Sequence, residues 1–222
     1  MKDYRNIVLT RTEEIGANNG RPGSVAKCLQ VPNELVWLAP HIDRLQPHVI
    51  VEIGIYKAGW QYVMCPFYAR GARIIGIDSM ERHKWSDDDS EGKQLLEMLS
   101  RLEAAGFRTR FIQGRSDDSD IRGEVDKCLC WFTGLYEDTR IDLLHIDGAH
   151  DYESVKADWD FYSYRVRKGG LVVLHDIGTQ TSQMNVKRLW EEIKAGFKCE
   201  TYDQKYETYE FYEKNGIGVV VI

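Results

Sequence analysis

Val49-Ile50-Val51-Glu52-Ile53-Gly54 is a β-branched, apolar run broken by a single carboxylate and closed by a glycine. A run this short and apolar fits a parallel strand covered on both faces. Upstream, Pro32 opens a helix whose apolar positions Leu35, Leu38, Ala39, Ile42 and Leu45 follow a 3.6-residue period. Downstream, strand and helix patterns alternate. Strands are expected at residues 48–53, 73–77, 108–112, 141–146 and 171–174. One-faced helical periodicity joins Leu95, Leu99 and Leu102; Ile121, Val125 and Leu129; Val155, Trp159, Tyr162 and Val166; and Val186, Leu189 and Ile193. Lys168-Gly169-Gly170 reads as a helix stop. The alternation breaks near the end, where residues 198–202 and 216–222 are strand candidates with no helix between them. One of the two is therefore expected to run antiparallel. The expectation is an α/β fold with a mostly parallel seven-stranded sheet, one antiparallel C-terminal strand, and helices on both faces.

The chain has 222 residues, 43% of them apolar and 29% charged, with a formal net charge of −6. That balance speaks against nucleic acid, whose phosphates need clustered Lys and Arg. The acidic run Asp87-Asp88-Asp89 reads as a solvated loop. No stretch approaches the ~20 apolar residues of a membrane span. Residues 1–17 lack the apolar core of a signal peptide, so a cytoplasmic location is expected. Five cysteines include no C-x-x-C pair, and Cys128-x-Cys130 is too tight for a zinc knuckle, which leaves free thiols in a reducing compartment. Residues 1–29, polar and carrying Gly16, Gly20 and Gly23, are expected to form an arm or lid before one domain spanning 30–222. A homo-oligomer is left open.

In an open α/β sheet the ligand sits beyond the C-terminal strand ends, where the strand order reverses. Gly54 would bring backbone close to a ligand there, with Ile55 and Tyr56 on the turn and Gly59 opening the next helix. The Glu52 carboxylate suits a cationic amino group. Tyr56 and Lys57 stand where a nicotinamide site would carry glycines. The next strand ends Gly76-Ile77-Asp78, and an acidic residue there, followed by Ser79 and Met80, suits the two hydroxyls of a ribose. Ordinary turn residues are the alternative. After the third strand, Ser116 and Asp117 would lie beside the base, although Ser116 reads equally well as a helix cap.

The fourth strand runs into Asp147-Gly148-Ala149-His150-Asp151-Tyr152 and the fifth into His175-Asp176. Neighbouring strands lie about 4.8 Å apart, which would bring Asp147, His175 and Asp176 to one rim, where they suit a divalent cation. His150 is a candidate general base near neutral pH. The blander alternatives are a turn at Asp147-Gly148, a helix cap at Asp151 and a core histidine at 175. His145, inside the strand, reads as packing.

With these motifs assembled, the chain resembles class I S-adenosylmethionine-dependent methyltransferases. The closest likeness is to the small-molecule branch of metal-dependent macrolide-sugar O-methyltransferases and cephalosporin-hydroxylase-like proteins. The likeness covers about residues 30–222 and is most specific over 146–176. It implies a Rossmann-like methyltransferase fold and methyl transfer from S-adenosylmethionine to a hydroxyl of a small-molecule acceptor. By position it gives Glu52, Gly54 and Gly59 to the methionine end of the cofactor, Asp78 to the ribose, and Ser116 with Asp117 to the adenine, with Ile55, Tyr56, Ser79, Met80 and Asp147 lining the same site. It makes Asp147, His175 and Asp176 ligands of Mg2+ or another divalent cation, and His150 with Asp147 the catalytic pair. A cofactor-binding protein without this chemistry, or a metal-independent enzyme, is the alternative. Ala58, Trp60, Arg115 and His175 depart from the family pattern, and His175 replaces an acidic residue. Residues 81–91, together with Tyr202, Tyr206, Tyr209, Phe211 and Tyr212, are candidates for the acceptor pocket wall, an aromatic hairpin or dimer contact being the other reading of the tyrosines.

Overall fold

The computed structural model describes residues 2–15, 28, 30–81, 90–133, 140–181, 184–199 and 202–222. Gly16, Gly20, Gly23, the 82–89 part of the proposed pocket wall and Asp87–Asp89 lie outside them. In chain order the elements are α1 Tyr4–Glu14, α2 Pro32–Leu45, β1 Val49–Ile53, α3 Gly59–Met64, β2 Arg73–Asp78, α4 Ser90–Ala104, β3 Arg108–Gln113 and α5 Ser119–Thr133. There follow β4 Ile141–Ile146, α6 Tyr152–Tyr162, β5 Val166–His175, α7 Val186–Ala195, β6 Phe197–Cys199, β7 Tyr202–Gln204, β8 Glu207–Phe211 and β9 Ile217–Val221.

Seven strands form one sheet in the order β3-β2-β1-β4-β5-β9-β8. β1 to β5 are parallel, and β9 lies antiparallel between β5 and β8. The order reverses between β1 and β4, so the crevice expected of such sheets opens there. Alternate side chains leave the sheet on opposite faces. Ile50, Ile74, Leu143 and Val173 pack beneath α2, α3 and α4, while Val51, Ile75, Leu144 and Val172 meet α5, α6 and α7. At the opposite end of the strands, Asp142 accepts the His48 and Val49 backbone N–H groups at 2.8 Å each and binds Arg167, which anchors β1 to β4 and β5 away from the crevice.

Four local expectations change. Tyr4–Glu14 is a helix with Val8 and Thr12 buried, packed against α2 and α3, because its few apolar residues share one inward stripe. This part of the expected arm belongs to the core. Val166 opens β5 rather than closing α6, and Lys168-Gly169-Gly170 lies inside β5, where the register with β4 shifts between Ile141 and Leu143. Gly169, at φ 75°, absorbs that irregularity instead of ending a helix. Residues 198–202 do not supply the seventh strand. β6 and β7 form a separate two-stranded ribbon, and Glu207–Phe211 takes the sheet edge. Tyr209 and Phe211 accordingly pack on His41 and Trp37 of α2, and Tyr206 on Trp159, an arrangement that agrees with the aromatic-hairpin reading of these residues. The Tyr202 side chain lies outside the described residues. Among the described residues, no helix is long and apolar enough to cross a membrane.

Candidate active site

At the switch point the chain leaves β1 under tight constraint. The Gly54 N–H donates to the Ile77 carbonyl at 2.8 Å, and φ is +86°. A Cβ there would lie 2.2 Å from the Asp147 carbonyl oxygen. The neighbouring strand end therefore leaves room for glycine alone. The Ile55 side chain is likewise turned inward, packed where a Cβ on Gly76 would stand. Asp78 is fixed by two backbone donors, Tyr56 N on Oδ2 and Met80 N on Oδ1, both at 2.8 Å. Each oxygen keeps a lone pair for a further donor such as a ribose hydroxyl. Ser79 Oγ accepts the Glu81 N–H at 3.4 Å, and Gly59, buried, begins α3. Tyr56, Ala58, Met80 and Asp176 adopt φ of 48°, 55°, 58° and 60°. Left-handed non-glycine residues are costly, and these four cluster at the strand-end rim.

Beyond β3, Arg115 grips Asp117 at 3.0 and 2.8 Å, so the arginine that departs from the family pattern orders this loop. The Ser116 carbonyl accepts from Arg122 at 3.2 Å and from the Tyr162 hydroxyl at 3.0 Å. Asp158 of α6 lies beneath the same loop. Burial pushes its carboxyl up to about 7, with a Ser116 side-chain hydrogen bond acting against the rise, and Oδ1 has no hydrogen-bond partner.

Glu52 is almost fully enclosed, at 1% exposure, so it is not presented at the surface of the crevice. Its Oε1 lies 3.0 Å from His145 Nδ1, and the His145 ring stacks on Trp60 with centroids 4.0 Å apart. His145 is thus the partner of a buried carboxylate rather than packing alone. Burial raises Glu52 despite His145 and Gln61, and Glu52 Oε2, Gln61 Nε2 and His145 Nε2 are buried without hydrogen-bond partners. These atoms lie within one polar pocket behind the rim, a donor–acceptor set that suits the amino-acid end of a zwitterionic ligand or an ordered water relaying to it.

On the other side of the crevice, β4 and β5 do bring Asp147, His150, His175 and Asp176 together. Asp147 Oδ1 lies 3.1 Å from His175 Nδ1 and 3.4 Å from His150 Nε2. His150 Nδ1 lies 3.3 Å from Asp176 Oδ2, while His150 Nε2 has no hydrogen-bond partner. Asp151, as its alternative reading had it, caps α6 through the Ser154 N–H at 2.9 Å.

Two residues at this rim escaped the sequence reading. Gln30 donates its amide to Asp147 Oδ2, and its own Oε1 accepts from Cys28 Sγ at 3.0 Å. Glu34 of α2, with no exposed surface, lies 3.3 Å from His175 Nε2 and accepts the Gly216 N–H at 3.1 Å. Burial alone would lower the His175 imidazole, but Asp147, Glu34 and Asp176 outweigh it and hold the proton well above the usual histidine range. Burial would raise Asp147, but His175 and His150 pull it far below the usual carboxylate range.

Donor atoms of Asp147, His175 and Asp176 all lie within 4.8 Å of one another, and Asp176 Oδ1 is buried without a hydrogen-bond partner. Two carboxylates and an imidazole converging on an orphaned anionic oxygen fit a divalent cation.

The fold has close structural parallels. The O-methyltransferase TomG from Streptomyces achromogenes, solved with S-adenosylmethionine, aligns over 100% of this chain and 90% of its own at 14% identity and a TM-score of 0.60. MycE, a methyltransferase of the mycinamycin biosynthetic pathway solved with Mg and S-adenosylhomocysteine, aligns over 99% of this chain and 54% of its own at 19% identity and a TM-score of 0.53. The Bacillus cereus O-methyltransferase, solved with S-adenosylhomocysteine, aligns over 100% of this chain and 92% of its own at 13% identity and a TM-score of 0.53. In sequence, an uncharacterized protein from Sinorhizobium fredii, y4gI, is 25% identical over 162 residues. That match takes in 72% of this chain but only 16% of the relative's length. A family model described as a methyltransferase domain matches residues 51–177, which begin in β1 and end just past Asp176. Its match begins and ends beside the two halves of the crevice, and the chain belongs to the methyltransferase-domain family.

Proposed function

We propose that the chain transfers a methyl group from S-adenosylmethionine to a hydroxyl of a small molecule. The observation that carries this reading is the meeting of two unlike half-sites at the β1/β4 switch point. Glycine and Asp78 lie on one side, and a histidine between two carboxylates lies on the other.

On the donor side, Asp78 holds the ribose hydroxyls with its backbone-fixed oxygens, and the loop carrying Ser116 and Asp117 flanks the adenine. Glu52 acts from behind the rim through the His145 pocket rather than by open contact. On the acceptor side, His150 stands between two carboxylates, Nε2 3.4 Å from Asp147 Oδ1 and Nδ1 3.3 Å from Asp176 Oδ2, and its imidazole takes the acceptor's proton. Transfer in line from sulfonium to oxygen asks mainly for alignment of the two reactants and removal of that proton. A divalent cation held by Asp147, His175 and Asp176 would supply positive charge beside the acceptor oxygen and ease its ionisation. Gln30 and His175 keep Asp147 from rotating away.

The test combines calorimetry with S-adenosylhomocysteine and transfer of labelled methyl groups to a panel of hydroxylated sugars and phenols. The product nucleoside should bind once per chain, and Asp78→Ala should weaken it tenfold or more, about 1.4 kcal/mol. His150→Ala should keep that binding and lower kcat by about 10²–10⁴. Undiminished turnover in His150→Ala would remove the histidine from the mechanism, and no nucleoside binding would end the reading.

A further inference from the structure

We propose that Glu34 and His175 turn the Asp147–Asp176 rim into a site for a nitrogen-accepting, first-row divalent cation, such as manganese, iron(II), cobalt or zinc, rather than a magnesium site. The inference rests on the cation-assisted reading above and names the ion class from the nitrogen of His175 and from Glu34, which that reading does not use.

Glu34 is fully buried on α2, and its Oε1 is pinned by the Gly216 N–H at 3.1 Å. Its other oxygen lies 3.3 Å from His175 Nε2. A buried carboxylate in this position accepts a hydrogen bond from Nε2–H, so a cation arriving at the rim would meet Nδ1 and displace the proton there. Carboxylate partners of this kind are the usual outer support of metal-bound histidines.

Nδ1 then faces Asp147 Oδ1 at 3.1 Å and Asp176 Oδ1 at 3.5 Å. Ligand atoms about 2.0–2.2 Å from one metal ion are separated by roughly 3.0–3.5 Å along a polyhedron edge. Two of the three edges match such a shell, and the ligand atoms of the three residues all lie within 4.8 Å of one another. Two further observations agree. Asp176 Oδ1 is buried without a hydrogen-bond donor, and the residue is held at φ 60°, a conformation that needs support from its surroundings. Asp147 spends its other oxygen on Gln30, which leaves Oδ1 for the shared point. Magnesium favours an all-oxygen octahedron and gives up water reluctantly, whereas imidazole suits the later divalent ions.

Affinity order alone is a poor test, since almost any site prefers later metals to magnesium. The discriminating readout is nitrogen ligation. Manganese(II) alone is added to the full chain, and its electron spin echo is examined for 14N modulation. The expected result is one bound ion with nitrogen coupling that is lost in His175→Glu and kept in His150→Ala. Glu34→Gln should weaken manganese binding by about 10–100-fold. Magnesium alone, followed by calorimetry, should bind more tightly to His175→Glu than to the unmodified chain. Bound manganese without nitrogen coupling, coupling that survives in His175→Glu, or no binding of either ion overturns the proposal. S-adenosylhomocysteine binding, measured on the same samples, requires no metal, so a failure of the methyltransferase reading is distinguished from a failure of the metal assignment. Thermal unfolding of each variant identifies any that fails to fold, and His175→Asn then replaces His175→Glu in the coupling measurement.

Discussion

Replacing Asp158 by Asn should make the protein gain stability relative to the parent as pH rises from about 4 to about 8. Asp158 is 1% exposed, its Oδ1 lacks a partner, and burial lifts its carboxyl from 3.8 to about 7. The folded pKa lies above the unfolded one, so between the two values the native state carries the extra proton. The stabilisation is present below the unfolded pKa and is lost as pH rises through the folded pKa. A rise of roughly three units corresponds to about 4 kcal/mol, most of which develops between about pH 4 and pH 8. Asn keeps the shape, never ionises, and leaves at most one buried amide donor unmet, at about 1–3 kcal/mol. The assay is urea unfolding of both proteins at unit pH intervals, with the difference between them isolating this carboxyl from every other titrating group. The variant should gain on the parent by about 3–4 kcal/mol over that window. Parallel stability profiles would refute the reasoning, since they would mean that Asp158 is hydrated or ionised throughout.

Gly54→Ala should lose several kcal/mol of stability and bind the product nucleoside weakly, because its Cβ would stand 2.2 Å from the Asp147 carbonyl in a left-handed conformation; circular-dichroism melting and calorimetry read the two effects, and parental values in both would contradict the packing described. Asp142→Ala strips two backbone N–H groups and Arg167 of their acceptor at the far end of the sheet. It should cost about 2–4 kcal/mol in urea unfolding while leaving kcat and KM per folded molecule unchanged.

Four of the five parallel strands were readable as short, largely apolar runs, and β3, Arg108–Gln113, with one buried residue, from its place in the strand–helix alternation. The sheet edge was not. Glu207–Phe211 alternates polar and aromatic residues with little buried surface, so it offers no apolar face to mark a strand. In the site, strand-end residues such as Asp78, Asp147 and Asp176 could be placed because position along a strand fixes which end of the sheet they reach. Partners arriving from helices were harder. Glu34 falls on the stripe shared by Leu38 and Ile42, and Asp158 on that of Val155 and Tyr162, and a carboxylate on an apolar stripe is the signal by which both could have been found. Gln30 had no such mark, since nothing periodic surrounds it. At Gly54, sequence shows that a Cβ is unwelcome but does not name the protein atoms that exclude it.

That same contact has a consequence for change over time. The turn after β1 and the loop after β4, to which the proposed function assigns the methyl donor and the base, meet backbone to backbone, with the Asp147 N–H also bonded to the Ile53 carbonyl at 2.9 Å. Neither loop can lengthen or shift without displacing the other. New acceptor preferences are therefore more easily gained from outside this joint, through the segment before α2 and the turn leading into β9. Both reach the acidic rim, through Gln30 and through Gly216 on Glu34. Random mutagenesis selected for altered acceptors should leave 53, 54, 147 and 148 untouched while varying freely on either flank.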